Sequence, residues 1–268
     1  MDTTAILYAV AALGGLGIVL GLLLTFANKK FAVPVDERFS LVREAVAGAN
    51  CGACGYAGCD AYSDAVVKGI AAIDLCTPGG QTTLNALAEI MNANAVETAP
   101  HVARVLCQGE TGIVKPRYDY DGLLTCHSAV GIAGGPSQCV WGCVGLGDCV
   151  RVCRFDAMKI ENGLVVIDEE KCTACGMCVK ECPRSVIKLL PKAARVTVRC
   201  QNKALPRESR EVCSKACIAC KRCERACLYD AIHVINNCAI IDPAKCTLCG
   251  ECVIVCPTKC IEQLAPLG

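Results

Sequence analysis

The feature that most constrains this chain is a run of four cysteines that occurs twice. Cys172, Cys175, Cys178 and Cys182 are followed by Pro183, and Cys246, Cys249, Cys252 and Cys256 by Pro257. Thiols two residues apart on one tight loop converge on a common centre, which suits metal ligation better than bridging to distant partners. The two runs belong to a longer repeat with an offset of 74 residues. Cys139, Cys143, Cys149 and Cys153 map onto Cys213, Cys217, Cys223 and Cys227, and Phe155-Asp-Ala-Met-Lys-Ile maps onto Tyr229-Asp-Ala-Ile-His-Val. Val166-Ile-Asp168 likewise maps onto Ile240-Ile-Asp242, and Cys126 falls on Cys200. An ungapped repeat of this length predicts a duplicated structural unit.

Composition supports metal over disulfide. The chain has 26 cysteines in 268 residues but only 4% aromatic residues, too few for a large aromatic core. Metal–thiolate bonds can fix small loop-rich modules whose apolar cores are inadequate. The spacing of both runs is that of bacterial [4Fe–4S] ferredoxins, in which the fourth cysteine of a run ligates the other cluster. Zinc ribbons also use CxxC pairs, but set two pairs apart by a long spacer.

Crossed ligation assigns Cys217, Cys220, Cys223 and Cys256 to one cluster, and Cys246, Cys249, Cys252 and Cys227 to a second. In the first copy Cys172, Cys175, Cys178 and Cys153 form a third. The fourth is less regular, because Leu146 stands where Cys220 stands in the second copy. Cys139, Cys143, Cys149 and Cys182 are the expected ligands there. Arg154 and Leu228 replace the usual proline after Cys153 and Cys227. Cys51, Cys54, Cys59 and Cys76 form a separate set on a Gly-rich loop, which lets backbone N–H groups approach sulfur. Cys238 and Cys260 match Leu164 and Val186 and are read as buried structural thiols. That leaves Cys107, Cys126, Cys200 and Cys213 for a sixth cluster. Another partition stays open, in which Cys139 joins Cys126, Cys200 and Cys213 and frees Cys107 for the irregular site. Val105-x-Cys107-Gln and Val198-x-Cys200-Gln also share a local pattern.

Ala5 to Ala27 is 23 residues without a charge, followed by Lys29 and Lys30. As a helix it reaches about 34 Å, enough for a hydrocarbon core of about 30 Å. A cleaved signal peptide fits poorly, because the only early charge is Asp2 and the run is too long. The positive-inside rule places the remaining bulk in the cytoplasm, where reducing conditions disfavour disulfides. Gly17 and Gly21 have GxxxG spacing, which can serve helix packing in a membrane. Beyond the span, Asp36–Gly48 reads as an amphipathic helix with Asp36 as its N-cap and Phe39, Val42 and Val46 on one face. Leu84–Glu97 reads as a second helix.

The expected fold is α+β. It comprises an anchor helix (1–30), a small [4Fe–4S] domain (31–98), a connecting segment with Cys107 and Cys126 (99–138), and two ferredoxin-like modules (139–192 and 193–268). No G-x-G-x-x-G opens a helix and there is no P-loop, so no flavin, NAD or nucleotide site is expected in this chain. Net charge is +1, which recommends no nucleic acid. Locally, Lys171 to Arg225 holds 14 Lys and Arg against 4 Asp and Glu. These cations can offset negative clusters, or form a docking face for an acidic soluble ferredoxin. His101 and His233 are read as ordinary surface or strand residues, His127 as no metal ligand, and Trp141 as a shield for a cluster.

The order of these features resembles one family. An N-terminal anchor, Cys51-Gly-x-Cys54-Gly-x-x-Gly-Cys59, Gly134-Gly-Pro-x-x-Cys139, Gly147-Asp-Cys149 and paired modules look like the B subunit of the Rnf complex, in its long, polyferredoxin-like form. The resemblance implies a bacterial inner-membrane component of a ferredoxin:NAD⁺ oxidoreductase that pumps Na⁺ or H⁺. It would take electrons from reduced ferredoxin and relay them to membrane partner subunits, with no substrate chemistry beyond electron transfer. A membrane-anchored polyferredoxin of a hydrogenase or reductase is the competing reading, and a zinc–thiolate protein a more distant one.

Overall fold

The computed structural model describes residues 3–31, 36–97 and 99–265, in two units, Met1–Phe39 and Ser40–Gly268. In the first unit, helix α1 (Thr3–Phe31) carries Lys29 and Lys30 in its last turn. Its Val10–Phe31 stretch has a mean hydropathy of 2.3 and is long and apolar enough to cross a membrane. None of the described side chains of Val10–Phe31 is buried, as lipid contact requires. A side chain at Gly14, Gly17 or Gly21 would meet nothing within 4 Å. Asp2 lies outside the described residues.

The N-terminal part of the second unit is helical. Helix α2 (Arg38–Ala45) follows Asp36, whose carboxylate accepts the Arg38 backbone N–H at 2.9 Å, so Asp36 caps from two residues ahead of the helix. Val42 and Val46 are buried, as their spacing predicts. Helix α3 (Cys59–Val67) starts on the fourth residue after the Cys51–Gly55 loop. Helix α4 runs Gly80–Met91 rather than 84–97. It starts directly after a 3-10 turn at Thr77–Gly79 containing Pro78, and it stops because Asn92 adopts a left-handed conformation (φ 51°). The Thr83 hydroxyl donates to the Ala45 carbonyl at 2.8 Å, tying α4 to α2.

The remainder is a doubled ladder of short elements. In the first copy these are β1 (His101–Val105), α5 (Cys126–Gly131), α6 (Asp148–Arg151), β2 (Met158–Glu161), β3 (Leu164–Ile167), α7 (Met177–Glu181) and β4 (Ile187–Pro191). In the second they are β5 (Val196–Val198), α8 (Pro206–Val212), α9 (Arg222–Ala226), β6 (Ile232–Ile235), β7 (Cys238–Ile241), α10 (Glu251–Ile254) and β8 (Ile261–Gln263). Four antiparallel pairs result: β1 with β4, β2 with β3, β5 with β8 and β6 with β7. The hairpins repeat in register, Met158 opposite Ile167 and Ile232 opposite Ile241. Even the left-handed residues recur 74 apart, as at Ala174 and Leu248, Asp156 and Asp230, and Asn162 and Asn236.

Strand β1 lies in the segment expected to be a connector, yet it pairs along its whole length with β4. Val105 sits opposite Ile187 as Val198 sits opposite Ile261, so β1 is the counterpart of β5. The first ladder thus begins at His101. Its Cys107–Cys139 interval is 19 residues longer than the corresponding Cys200–Cys213 interval, and α5 occupies that insertion.

The two cores are small and rich in sulfur. One gathers Val105, Met158, Val165 and Ile187 with Cys107, Cys149 and Cys178. The other gathers Val196, Ile232 and Ile261 with Cys217, Cys223, Cys238, Cys252 and Cys260. Apolar burial on this scale leaves a large part of the stabilisation to whatever the thiols bind.

Candidate metal centres

All 26 cysteines are free thiols. Four cavities collect them as the runs predict or nearly so. One is lined by Cys153, Cys172, Cys175 and Cys178, and its counterpart by Cys227, Cys246, Cys249 and Cys252. Another is lined by Cys217, Cys220, Cys223 and Cys256, with Cys260 beside them. The irregular cavity is lined by Cys126, Cys143, Cys149 and Cys182.

That last grouping differs from both partitions considered from sequence. The thiol that replaces the missing Cys220 equivalent is Cys126, at the start of α5, rather than Cys139 or Cys107. Thr125 caps α5 by accepting the Ser128 N–H at 3.1 Å, and the Asp148 carboxylate accepts the His127 N–H at 3.1 Å. The inserted segment is thereby pinned with Cys126 facing α6.

A fifth cavity lies between the two ladders and is lined by Cys107, Cys139, Cys200 and Cys213, with Trp141 and Cys143 also on its wall. It has an internal symmetry. Cys107 Sγ accepts N–H bonds from Gly109 (3.2 Å) and Cys143 (3.4 Å). Cys200 Sγ accepts them from Asn202 (3.5 Å) and Cys217 (3.3 Å). Cys143 and Cys217 are repeat partners, as are Cys139 and Cys213. Each ladder therefore supplies one strand-end thiol and one loop thiol. The 74-residue alignment had placed Cys126 over Cys200; strand register makes Cys107 the true counterpart.

The N-terminal set sits on the Cys51–Gly55 loop, the start of α3 and the residue before the 3-10 turn. Asn50 Oδ1 accepts the Cys59 N–H at 2.9 Å. Burial raises the Tyr62 hydroxyl pKa, and charge on Cys76 and Cys54 raises it further, which places both thiols beside that ring. Arg154, where a proline was expected, donates to the Asn50 carbonyl at 2.8 Å and to the Ala49 carbonyl at 3.3 Å. This bond docks the N-terminal loop on the first ladder. Burial raises the Cys175 pKa, and charge on Cys51 raises it further.

The donor set fits iron–sulfur clusters. Burial pushes Cys149 and Cys178 up to about 12, and Cys143 and Cys213 up to about 11. Buried sulfurs at this density stay ionised only beside a strong positive centre, and thiolates are what iron binds. Cys200 and Cys256 run the other way. The Cys238 thiol donates to the Cys200 carbonyl at 3.2 Å, N–H bonds from Cys217 and Asn202 favour the Cys200 thiolate, and a hydrogen bond from the Cys260 thiol lowers Cys256 to about 5.

Cations expected on an open face divide in two. Arg184 is half-buried and donates to the carbonyls of Cys139 (2.7 Å), Gly142 (2.9 Å) and Gly134, and burial lowers its pKa. Arg195 pairs with Glu169 at 2.6 Å, and Glu169 also binds buried Arg104. Arg199 pairs with Glu262 and donates to the Cys107 carbonyl at 3.1 Å. Lys221, Arg222 and Arg225 remain exposed, next to exposed Cys220. Lys221 holds a left-handed backbone (φ 58°) where the first ladder has Gly147. Trp141 carries Lys203 over its ring at 5.4 Å. His127 Nε2 lies 2.9 Å from the Glu181 carbonyl and His233 Nε2 3.2 Å from the Asp230 carbonyl. The ligand atoms of His127, Asp148 and Glu181 also lie within 4.8 Å of one another, so His127 stands in a cluster that the sequence did not single out.

Comparison with known proteins agrees with this geometry. An Fe-S cluster family model matches residues 47–78, and 4Fe-4S binding domain models match 165–188, 239–262 and 214–230. The chain is 47% identical to the B subunit of the Na(+)-translocating ferredoxin:NAD(+) oxidoreductase complex of Acetobacterium woodii, over 96% of this chain and 78% of that one. The chain belongs to the family of Rnf-complex B subunits. It is also 35% identical to the B subunit of the ion-translocating oxidoreductase complex of Methanosarcina acetivorans, over 97% of this chain and 99% of that one. The B subunit of the proton-translocating ferredoxin:NAD(+) oxidoreductase complex of Clostridium ljungdahlii is 37% identical, over 98% of this chain and 94% of that one. The expected N-terminal Fe-S domain and ferredoxin-type domains are thus both matched.

Proposed function

We propose that this chain is the electron-relay component of a membrane-bound, ion-translocating ferredoxin:NAD⁺ oxidoreductase, with its bulk on the cytoplasmic side of a bacterial membrane. It would carry electrons from a reduced, acidic ferredoxin to membrane partner subunits through six [4Fe–4S] sites. The observation that carries the reading is that the thiol sets adjoin one another in a single series. Arg154, next to Cys153, donates to the carbonyl of Asn50, next to Cys51, and α6, which carries Cys149, packs on α7, which carries Cys178. Cys143 donates to Cys107, and Cys217 donates to Cys200. The series then ends in the second ladder, where α9 packs on α10.

In this reading the 24 ligands are Cys51, Cys54, Cys59 and Cys76; Cys153, Cys172, Cys175 and Cys178; Cys126, Cys143, Cys149 and Cys182; Cys107, Cys139, Cys200 and Cys213; Cys217, Cys220, Cys223 and Cys256; and Cys227, Cys246, Cys249 and Cys252. Bound clusters supply one-electron redox sites. The protein's own work is to hold each set, aim N–H groups at sulfur and exclude water, which together set potential. Exposed Cys220 and Cys249 make the second ladder the entry end. Lys221, Arg222 and Arg225 beside Cys220 give an acidic donor its docking charge. The exit end is the N-terminal set, which follows the anchor helix in the chain.

Replacing Cys175 by Ala should stop electron flow from reduced ferredoxin to NAD⁺ in the purified complex, while Cys220-side sites still take up electrons. Wild-type flow in that variant would overturn the relay.

A further inference from the structure

Two buried thiols have no place in any four-thiol set. Cys260 is 2% exposed and lines the cavity of Cys217, Cys220, Cys223 and Cys256. Its Sγ lies 3.6 Å from Cys256 Sγ. The Thr258 hydroxyl lies 3.8 Å from the same sulfur. Cys256 as an iron-bound thiolate has no proton to give, so in that state it can only accept from both. The first ladder offers its corresponding sulfur, Cys182, neither donor. Val186 replaces Cys260 and is equally buried, and Arg184 replaces Thr258 with both Nη groups bonded to the Cys139, Gly142 and Gly134 carbonyls and no hydrogen bond to Cys182.

We propose that Cys260 donates an S–H hydrogen bond to Cys256 Sγ, with Thr258 as a weaker second donor, and thereby sets the potential of this site above that of its counterpart at Cys126, Cys143, Cys149 and Cys182. The inference rests on reading both cavities as cluster sites. Uptake of one electron adds negative charge that is shared by the ligand sulfurs, and a donor on sulfur favours the more negative state. No bond is made or broken, and the electron comes from the donor protein. A higher potential at the entry end would draw electrons off the donor before the longer passage through the first ladder.

The test uses the full chain, purified anaerobically with its clusters. Iron, acid-labile sulfide and an EPR-monitored redox titration are compared for wild type, Cys260→Val, Cys260→Ser, Thr258→Val and Val186→Cys. Cys260→Val should keep wild-type iron while one cluster's share of the signal moves to lower potential. Thr258→Val should move it less, Cys260→Ser should keep the wild-type position or raise it, and Val186→Cys should move a different cluster upward. Wild-type titration in Cys260→Val would overturn the inference, and so would loss of about four irons, since Cys260 would then be a ligand. A wild-type chain without iron would instead defeat the cluster reading itself, and the inference with it.

Discussion

The two ladders share their hairpins, left-handed turns and thiol spacing, yet they meet their surroundings differently. In the second ladder the Cys217 set is complete from the two cysteine runs, Cys220 and Cys249 reach solvent, and Leu228 is 87% exposed. In the first, the missing thiol comes from an insertion, Cys126 is buried, and Arg154 at the Leu228 position is bonded to the N-terminal loop. The repeat kept the hairpins and thiol spacing, while divergence bonded one copy to the N-terminal loop and left the matching position of the other exposed. The cavity of Cys107, Cys139, Cys200 and Cys213 is what the duplication created: neither ladder alone has four thiols there.

The sharpest way to break this comparison is to exchange the sources of the fourth thiol. Cys126→Ala and Cys220→Ala should each remove about four irons and four sulfides, one from each ladder. Adding Leu146→Cys to Cys126→Ala rebuilds the regular run and should recover much of that iron, measured by colorimetric assay. A Cys126→Ala chain with wild-type iron would return the irregular site to Cys139.

A smaller effect separates the two surfaces. Lys221→Glu with Arg222→Glu should slow association with an acidic ferredoxin roughly tenfold at low ionic strength, and much less in high salt. Lys180→Glu on the first ladder should change it little. Stopped-flow traces that are identical for both variants would remove the docking role of the exposed cations.

The smallest effect concerns Arg154. Its bonds to the Ala49 and Asn50 carbonyls should be worth about 1–3 kcal/mol. Arg154→Ala should therefore speed hydrogen exchange around Ala49–Cys54, whereas Leu228→Ala, at an exposed site, should leave stability within about 0.5 kcal/mol. Equal exchange in wild type and Arg154→Ala would mean that the N-terminal loop is held by other contacts.

Much of this was legible in the sequence, because spacing within a run is local. The Cys172 and Cys246 runs and the 74-residue repeat that carries them follow from residues close in the chain. What was not legible depends on register. The ungapped offset of 74 residues is correct from Cys139 onward but fails before it, so it aligned Cys126 with Cys200. The shared Val-x-Cys-Gln pattern pointed to Cys107, but only the pairing of Val105 with Ile187 and of Val198 with Ile261 decides the match. Helix α4 was placed late because apolar spacing ignores Asn92, which ends it, and the turn at Pro78, which starts it. The local excess of Lys and Arg could not reveal that Arg184, Arg195 and Arg199 are spent on internal contacts.

The central claim is that duplication built a sixth site between the ladders. It is tested most directly by iron and acid-labile sulfide per chain in anaerobically purified wild type and Cys107→Ala. The account predicts about 24 of each in wild type and about 20 in the variant. About 20 in both would contradict the bridging site, and zinc without sulfide would contradict the relay.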